Sequence, residues 1–291
     1  MAALLLCCAQ VHAATVGLVV DERSKQAVLF HEKLQQLSRD QSIQLYVSSE
    51  LKVNMKVPRW LVMGPKSLKA LLDKGYGNAS SQVLALFIPA QYVAKFRQKY
   101  PSQTFSILDN SPTLERQLAL IKVLKPQAKN VVLFHGEQYT ETLKAQQLSL
   151  SPLIKKLDLK LSMAVLKDPL NWDRNALKAL KAADLVLGVP DRAIYNATTI
   201  RSILMRLYRA GKALIGPDKG YVKAGAVASI YSSITDTLDS SAELLKSKTP
   251  WPSHIPNPNY SIKVNGQVAR SLNLSIADGK QLEAQVKELL P

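Results

Sequence analysis

Cysteine is all but absent: the 291-residue chain has two, Cys7 and Cys8, both within its first ten positions. A disulfide framework and a cysteine-built zinc site are therefore excluded. Of the four histidines, His31, His135 and His254 lie far apart beyond the first 13 residues with no ligand spacing around them, so no metal site is expected. Long apolar runs are missing too. Past Ala14 the longest extends only from Val83 to Ala90, well short of the ~20 residues needed to span a bilayer. No GxxxxGK[ST] loop occurs, and no GxGxxG lies between a strand and a helix, which argues against a nucleotide cofactor. Nor does a GxSxG elbow mark a nucleophile. His135, just past a strand-like run, is the one candidate base for a hydrolase, and a loop histidine is the plainer reading. Neither a cofactor nor enzymatic activity is expected.

The chain is 47% hydrophobic and 21% charged with a formal net charge of +16. That composition supports sizeable cores, and the length suggests two domains. Residues 1–13, MAALLLCCAQVHA, are uncharged, small and apolar, and end in Val11-His12-Ala13. This is a signal-peptide pattern with cleavage expected after Ala13, hence a periplasmic location. The charge is uneven: residues 14–112 hold 13 basic and 7 acidic side chains, residues 113–220 hold 18 and 9, and residues 221–291 hold 7 and 6. Spread over helical stretches, as at Lys178 and Lys181, these cations suit a solvated face or an anionic surface such as membrane or cell wall. Nucleic acid is not an expected partner behind a signal peptide.

Short β-rich runs alternate with stretches of helical period. Strands are predicted at 15–20, 43–47, 60–63, 83–88 and 105–108, then at 131–134, 159–166, 185–189, 213–215 and 260–264. Helices are predicted at 24–38, 67–74, 92–99, 114–124, 198–209 and 234–246, with Ala27, Phe30, Leu34 and Leu37 on one stripe of the first. This βαβ rhythm calls for parallel sheets with helices on both faces, and the two series of strands suggest two lobes of similar topology. The Pro-rich segment Pro250–Pro258 reads as an extended crossover.

In such sheets a ligand sits outside the carboxyl ends of the strands. Those ends read Met63-Gly64-Pro65-Lys66-Ser67, Leu108-Asp109-Asn110-Ser111, His135-Gly136-Glu137, Gly188-Val189-Pro190-Asp191 and Gly216-Pro217-Asp218. Their Gly, Pro and Asp can bring backbone N–H groups and carboxylates to a small molecule, or can serve plain turn and cap chemistry. Gly64, Pro65, Asp109, Gly136, Asp191 and Asp218 are candidate ligand contacts on this basis.

The stretch LVLGVPDRAIYNATTIRSILMRLYRAGKALIGPDKGYVKAGAVASIYSS, residues 185–233, resembles the second lobe of an ABC transporter substrate-binding protein family that includes tryptophan- and tyrosine-binding members. LDNSPTLERQLALIKVLKPQAKNVVLFHG, residues 108–136, is similar to that family's hinge, helix and next strand, and residues 260–275 to its C-terminal strand and helix. The similarity covers about residues 105–291, and residues 20–60 look shortened against it. It implies an α/β type I periplasmic binding protein, two Rossmann-like lobes with parallel sheets joined by three crossovers. Lobe one would take 14–111 and 224–252, lobe two 112–223 and 253–291, with crossovers near Asn110, Lys223 and Ser253. The resemblance places Asp191 in a cleft-facing loop, and Tyr195, Asn196 and Tyr221 complete the candidate ligand set. Asn196 also fits a helix N-cap, and Asp191 a solvated turn carboxylate. The implied protein is a monomer that binds a small organic ligand, an amino acid or aromatic compound among the classes suggested. It would present that ligand to an inner-membrane permease or signalling receptor. The shortened first lobe motivates an alternative, a ligand-independent envelope interaction or sensor module on the same fold.

Overall fold

A computed structural model describes residues 15–78, 80–274 and 277–290. The expected leader, residues 1–13, lies outside them. In chain order the elements are β1 (Thr15–Val20), α1 (Lys25–Leu37), β2 (Ser42–Val47), a 3-10 turn (Ser48–Glu50), β3 (Arg59–Met63), α2 (Pro65–Asp73), β4 (Gln82–Leu86), α3 (Ala90–Lys99) and β5 (Ser106–Asp109). There follow α4 (Leu114–Leu124), β6 (Asn130–His135), α5 (Thr140–Lys156), β7 (Lys160–Val165), α6 (Arg174–Ala182), β8 (Leu185–Gly188), α7 (Ile200–Arg209), β9 (Ala213–Gly216), α8 (Lys219–Ala224) and β10 (Ala228–Tyr231). The chain ends with α9 (Ile234–Lys246), β11 (His254–Pro256), β12 (Ser261–Val264), α10 (Gly266–Ser271) and α11 (Gly279–Leu289).

The helices start and stop where side-chain chemistry allows. Ser24 Oγ accepts the Ala27 N–H at 3.2 Å ahead of α1, and Asp173 Oδ1 accepts the Ala176 N–H at 2.8 Å ahead of α6. Gly75, at φ +83°, follows α2 in the left-handed conformation that ends helices cheaply only for glycine.

The chain divides into two units. Unit 1 comprises residues to Asp109 and Ile234–Pro258, and its sheet has the order β11-β5-β4-β3-β1-β2, parallel throughout. Alternation along β1 sends Val16, Leu18 and Val20 to a core with Phe30 and Leu34 of α1, and Val19 to a second core with Leu68, Leu71 and Leu72 of α2. Unit 2 comprises Asn110–Ser233 and residues from Asn259, with the order β12-β10-β9-β8-β6-β7, in which only the β12–β10 pair is antiparallel. In both units the second strand flanks the first on one side and the third flanks it on the other. This reversal is the switch point of a doubly wound sheet.

The chain changes unit after Asp109, after Ser233 and after Pro258. The crossover expected near Lys223 falls ten residues later because β10 pairs with β9 and β12 in the second sheet. The one expected near Ser253 falls five residues later because His254–Pro256 pairs with Ile107–Asp109 at the edge of the first sheet. Proline is tolerated on an edge strand, so the Pro-rich segment is part strand rather than crossover throughout.

Candidate functional site

The switch point sets the carboxyl ends of β1 and β3 side by side in unit 1, and those of β6 and β8 in unit 2. The two edges use different chemistry.

In unit 1 the edge is lined with exposed ions. Lys66 Nζ, in the first turn of α2, donates to Asp21 Oδ2 at 3.0 Å, and Arg23 Nη2 donates to both Glu50 oxygens at 3.0 and 3.2 Å. The Val47 N–H donates to Glu50 Oε2 at 2.9 Å. That bond is the main cause holding the Glu50 carboxyl below its usual range; desolvation opposes it and Arg23 adds to it. Beneath the ions, Ser48 Oγ donates to the Val20 carbonyl at 3.0 Å and lies 3.3 Å from Ser67 Oγ. Gly64 turns the chain from β3 into α2 at φ +85°, its N–H bonded to the Leu86 carbonyl at 2.9 Å. Apart from its two chain neighbours, none of the described residues comes within 4 Å of where a Gly64 Cβ would be. Pro65 occupies the first helical turn, where its missing N–H costs nothing. Asp109, at the end of β5, takes a 3.0 Å bond from His254 Nε2 of β11.

In unit 2 the edge is organised by one buried carboxylate. Asp191 is 1% exposed. Its Oδ2 accepts the Gly136 N–H at 2.7 Å, and its Oδ1 accepts the Ala193 N–H at 2.9 Å and Gln138 Nε2 at 3.1 Å. The loops after β6 and β8 are thus tied together across the switch point. A side chain at Gly136 would press on Asp191 Oδ2 at 3.0 Å and on Gln138. Tyr139 adds a second tie, its hydroxyl donating to the Pro190 carbonyl at 3.1 Å. His135 is buried, with Nδ1 2.8 Å from the Gly136 carbonyl oxygen.

No family model matches the chain, and no curated protein is found to match it. Solved structures do. One is the ligand-free, open structure of a substrate-binding protein with adhesive properties from Clostridium difficile, 12% identical, covering 91% of this chain and 96% of that one at a TM-score of 0.60. Another is a conserved domain protein from Vibrio cholerae, 16% identical, covering 94% and 98% at a TM-score of 0.50. The fold is that of a type I periplasmic binding protein.

On this periplasmic-binding fold, Gly64, Gly136, Asp191 and Asp218 lie in the loops that follow β3, β6, β8 and β9, Pro65 opens α2 and Asp109 closes β5. Asp191 differs from expectation: it is no solvated turn carboxylate, because three donors converge on it and remove it from water. Tyr195 is 1% exposed, its hydroxyl donating to the Phe134 carbonyl at 3.2 Å, and burial pushes its pKa far up. Tyr221 lies half-buried against it, the rings edge-on at 6.3 Å, and donates to the Tyr195 carbonyl at 2.6 Å. Asn196 caps the turn that leads into α7, its Oδ1 accepting from Thr198 N at 2.9 Å and Thr199 N at 3.1 Å. Asp218 caps α8 through a 2.6 Å bond from Gly220 N. The sequence reading missed Asp21, Arg23 and Glu50, whose only signal was their position just after strands. Among the described residues no three His, Cys, Asp or Glu side chains gather to hold a metal ion.

Proposed function

We propose that the protein is a periplasmic, non-enzymatic solute-binding protein, its two units closing on a small organic ligand held by the carboxyl edges of both sheets. The bound form would be read by an inner-membrane permease or signalling receptor. The observation that carries this reading is the matched strand order of the two units, each with a polar switch-point edge, on a chain that changes unit three times. Asp21, Arg23 and Lys66 would supply exchangeable charge from unit 1, and Gln138, Tyr139 and Tyr221 polar contacts from unit 2. Asp191 would act by positioning Gln138 and the Gly136 amide rather than by touching the ligand. The likeness to a substrate-binding protein in its open form supports the same reading. Export with cleavage after Ala13 is part of it, and N-terminal sequencing of the exported protein should read Ala14 first.

A thermal-shift screen of the full chain against amino acids, nucleosides, sugars and aromatic acids tests the proposal. A ligand that binds only the folded state raises the melting temperature by mass action, by roughly 2.7 kcal/mol of stability at a hundredfold excess over Kd. If no class shifts the melt, the solute-binding reading fails and the ligand-independent envelope module replaces it.

A further inference from the structure

The face of unit 2 formed by α6 and α7 has a chemistry that ligand binding does not use. Both helices lie on one side of the sheet, because β7–α6–β8 and β8–α7–β9 step across it in the same direction and such crossovers are right-handed. Arg206 links them: its Nη2 donates to the Leu170 carbonyl ahead of α6 at 3.4 Å, and its guanidinium lies 5.5 Å from the Trp172 ring centre. Neither helix, RNALKALKA or IRSILMRLYR, contains an acidic residue. Their outer stripes are Arg174, Leu177, Lys178 and Lys181 on α6, and Arg201, Met205, Tyr208 and Arg209 on α7, every one exposed. None of these five cations joins an ion pair among the described residues. Leu170, Met205 and Tyr208 are each more than half exposed, and Leu177 nearly so.

We propose that this face docks on an anionic phospholipid bilayer. Two helices lying side by side, with unpaired cations flanking Leu, Met and Tyr, match what an interface of charged headgroups over acyl chains accepts. Tyrosine suits that depth because its ring is apolar and its hydroxyl polar. A protein partner fits less well, since lysine is depleted from the cores of protein interfaces and here Lys178 stands beside Leu177 in the middle of the stripe. The 113–220 segment holds 18 basic against 9 acidic side chains, a positive field that favours approach to an anionic surface, while the choice of face rests on the apolar side chains that α6 and α7 add to their cations.

Sedimentation of the purified full chain with vesicles tests this. Binding is expected to mixed phosphatidylcholine/phosphatidylglycerol vesicles and not to phosphatidylcholine alone, and it should weaken as added salt shortens the screening length. Each cation near the surface is worth about fivefold in partition, so the triple variant K178Q/K181Q/R201Q should bind roughly a hundredfold more weakly. Met205→Ser should weaken binding by a smaller factor that salt does not change. The control K144Q/K155Q/K160Q removes three cations from α5 and β7. Because β6–α5–β7 steps the opposite way across the sheet, α5 lies on its other face, and this variant should bind like the parent. Equal loss in the control, equal binding to neutral vesicles, or capture by immobilised polyglutamate without any vesicle binding would each overturn the proposal, the last in favour of an acidic protein.

Discussion

In unit 2 the chain passes from β7 to β8 through α6, which packs on β6 and β7, whereas in unit 1 the corresponding step from β2 to β3 is a 3-10 turn and residues 51–58. The face that α6 covers in one sheet is filled in the other by Trp60 together with Leu51 and Val57 of that connection. Trp60 is fully buried on the α2 side of β3, with Tyr46 and Tyr76 ring centres at 5.6 and 4.9 Å. Its ring lies over Gly17, its register partner on β1, where any Cβ would collide with it. The indole over Gly17, with Leu51 and Val57 beside it, thus stands in for the nine-residue helix. The edges diverge in the same way: exposed, separable ion pairs in unit 1, and a single buried carboxylate with three donors in unit 2. Strand order alone therefore does not fix how a sheet is covered or how its ligand edge is held.

Trp60→Ala is the largest expected break in this comparison. It empties a fully buried site between Tyr46 and Tyr76 in the core shared with α2, and should cost about 3–5 kcal/mol. Trp60→Phe should cost much less, because it keeps a ring and removes an indole N–H that has no partner among the described residues. Hydrogen exchange read peptide by peptide should show lost protection in β1, β3 and α2 and little change in β6–β9. Loss spread evenly over both units would mean that Trp60 does not replace α6 in the way argued.

Asp191→Ala comes next, at about 1–3 kcal/mol, since it strands the buried Gly136 N–H and also frees the more exposed Ala193 N–H and Gln138 amide. The loss should appear in the loops after β6 and β8, measured by the same exchange experiment. Any fall in ligand affinity should accompany that loosening. Full stability with lost affinity would return Asp191 to direct ligand contact.

Much of the fold was legible because strand alternation and helical stripes are local. Leu114–Leu124 and Ile234–Lys246 stand as helices at the bounds their periodicity implies. What escaped was non-local or masked by composition. The sequence of α5 is interrupted by Ser149, Ser151 and Pro152, yet tertiary packing of Leu143, Leu150 and Leu153 keeps it helical. The short β10 strand, ASIY, follows a Gly- and Ala-rich stretch that reads as loop, and only its neighbours β9 and β12 make it a strand. The strand-end loops of the site were readable, but the burial of Asp191 was not. It depends on β6 and β8 pairing, which sets Gly136 against a residue 55 positions away.

The smallest expected effect is at the ionic edge of unit 1. Glu50 has its pKa lowered first by the Val47 N–H and further by Arg23. A carboxyl whose folded pKa is depressed contributes stability above its unfolded value of about 4.3 and loses it as pH falls through the folded value. Both ends of the Arg23–Glu50 pair are about half exposed, so solvent and salt screen the contribution heavily. Arg23→Ala should accordingly leave the melting temperature at neutral pH unchanged within error. It should still move the Glu50 carboxyl titration, followed by NMR, upward toward its ordinary value, while the Val47 bond keeps it from arriving there. A large fall in melting temperature for Arg23→Ala would make the ionic edge of unit 1 as structural as the buried edge of unit 2, and the contrast between the two edges would not hold. An unmoved titration would show that the Arg23–Glu50 pair does not form in solution, leaving Arg23 with no tether at that edge.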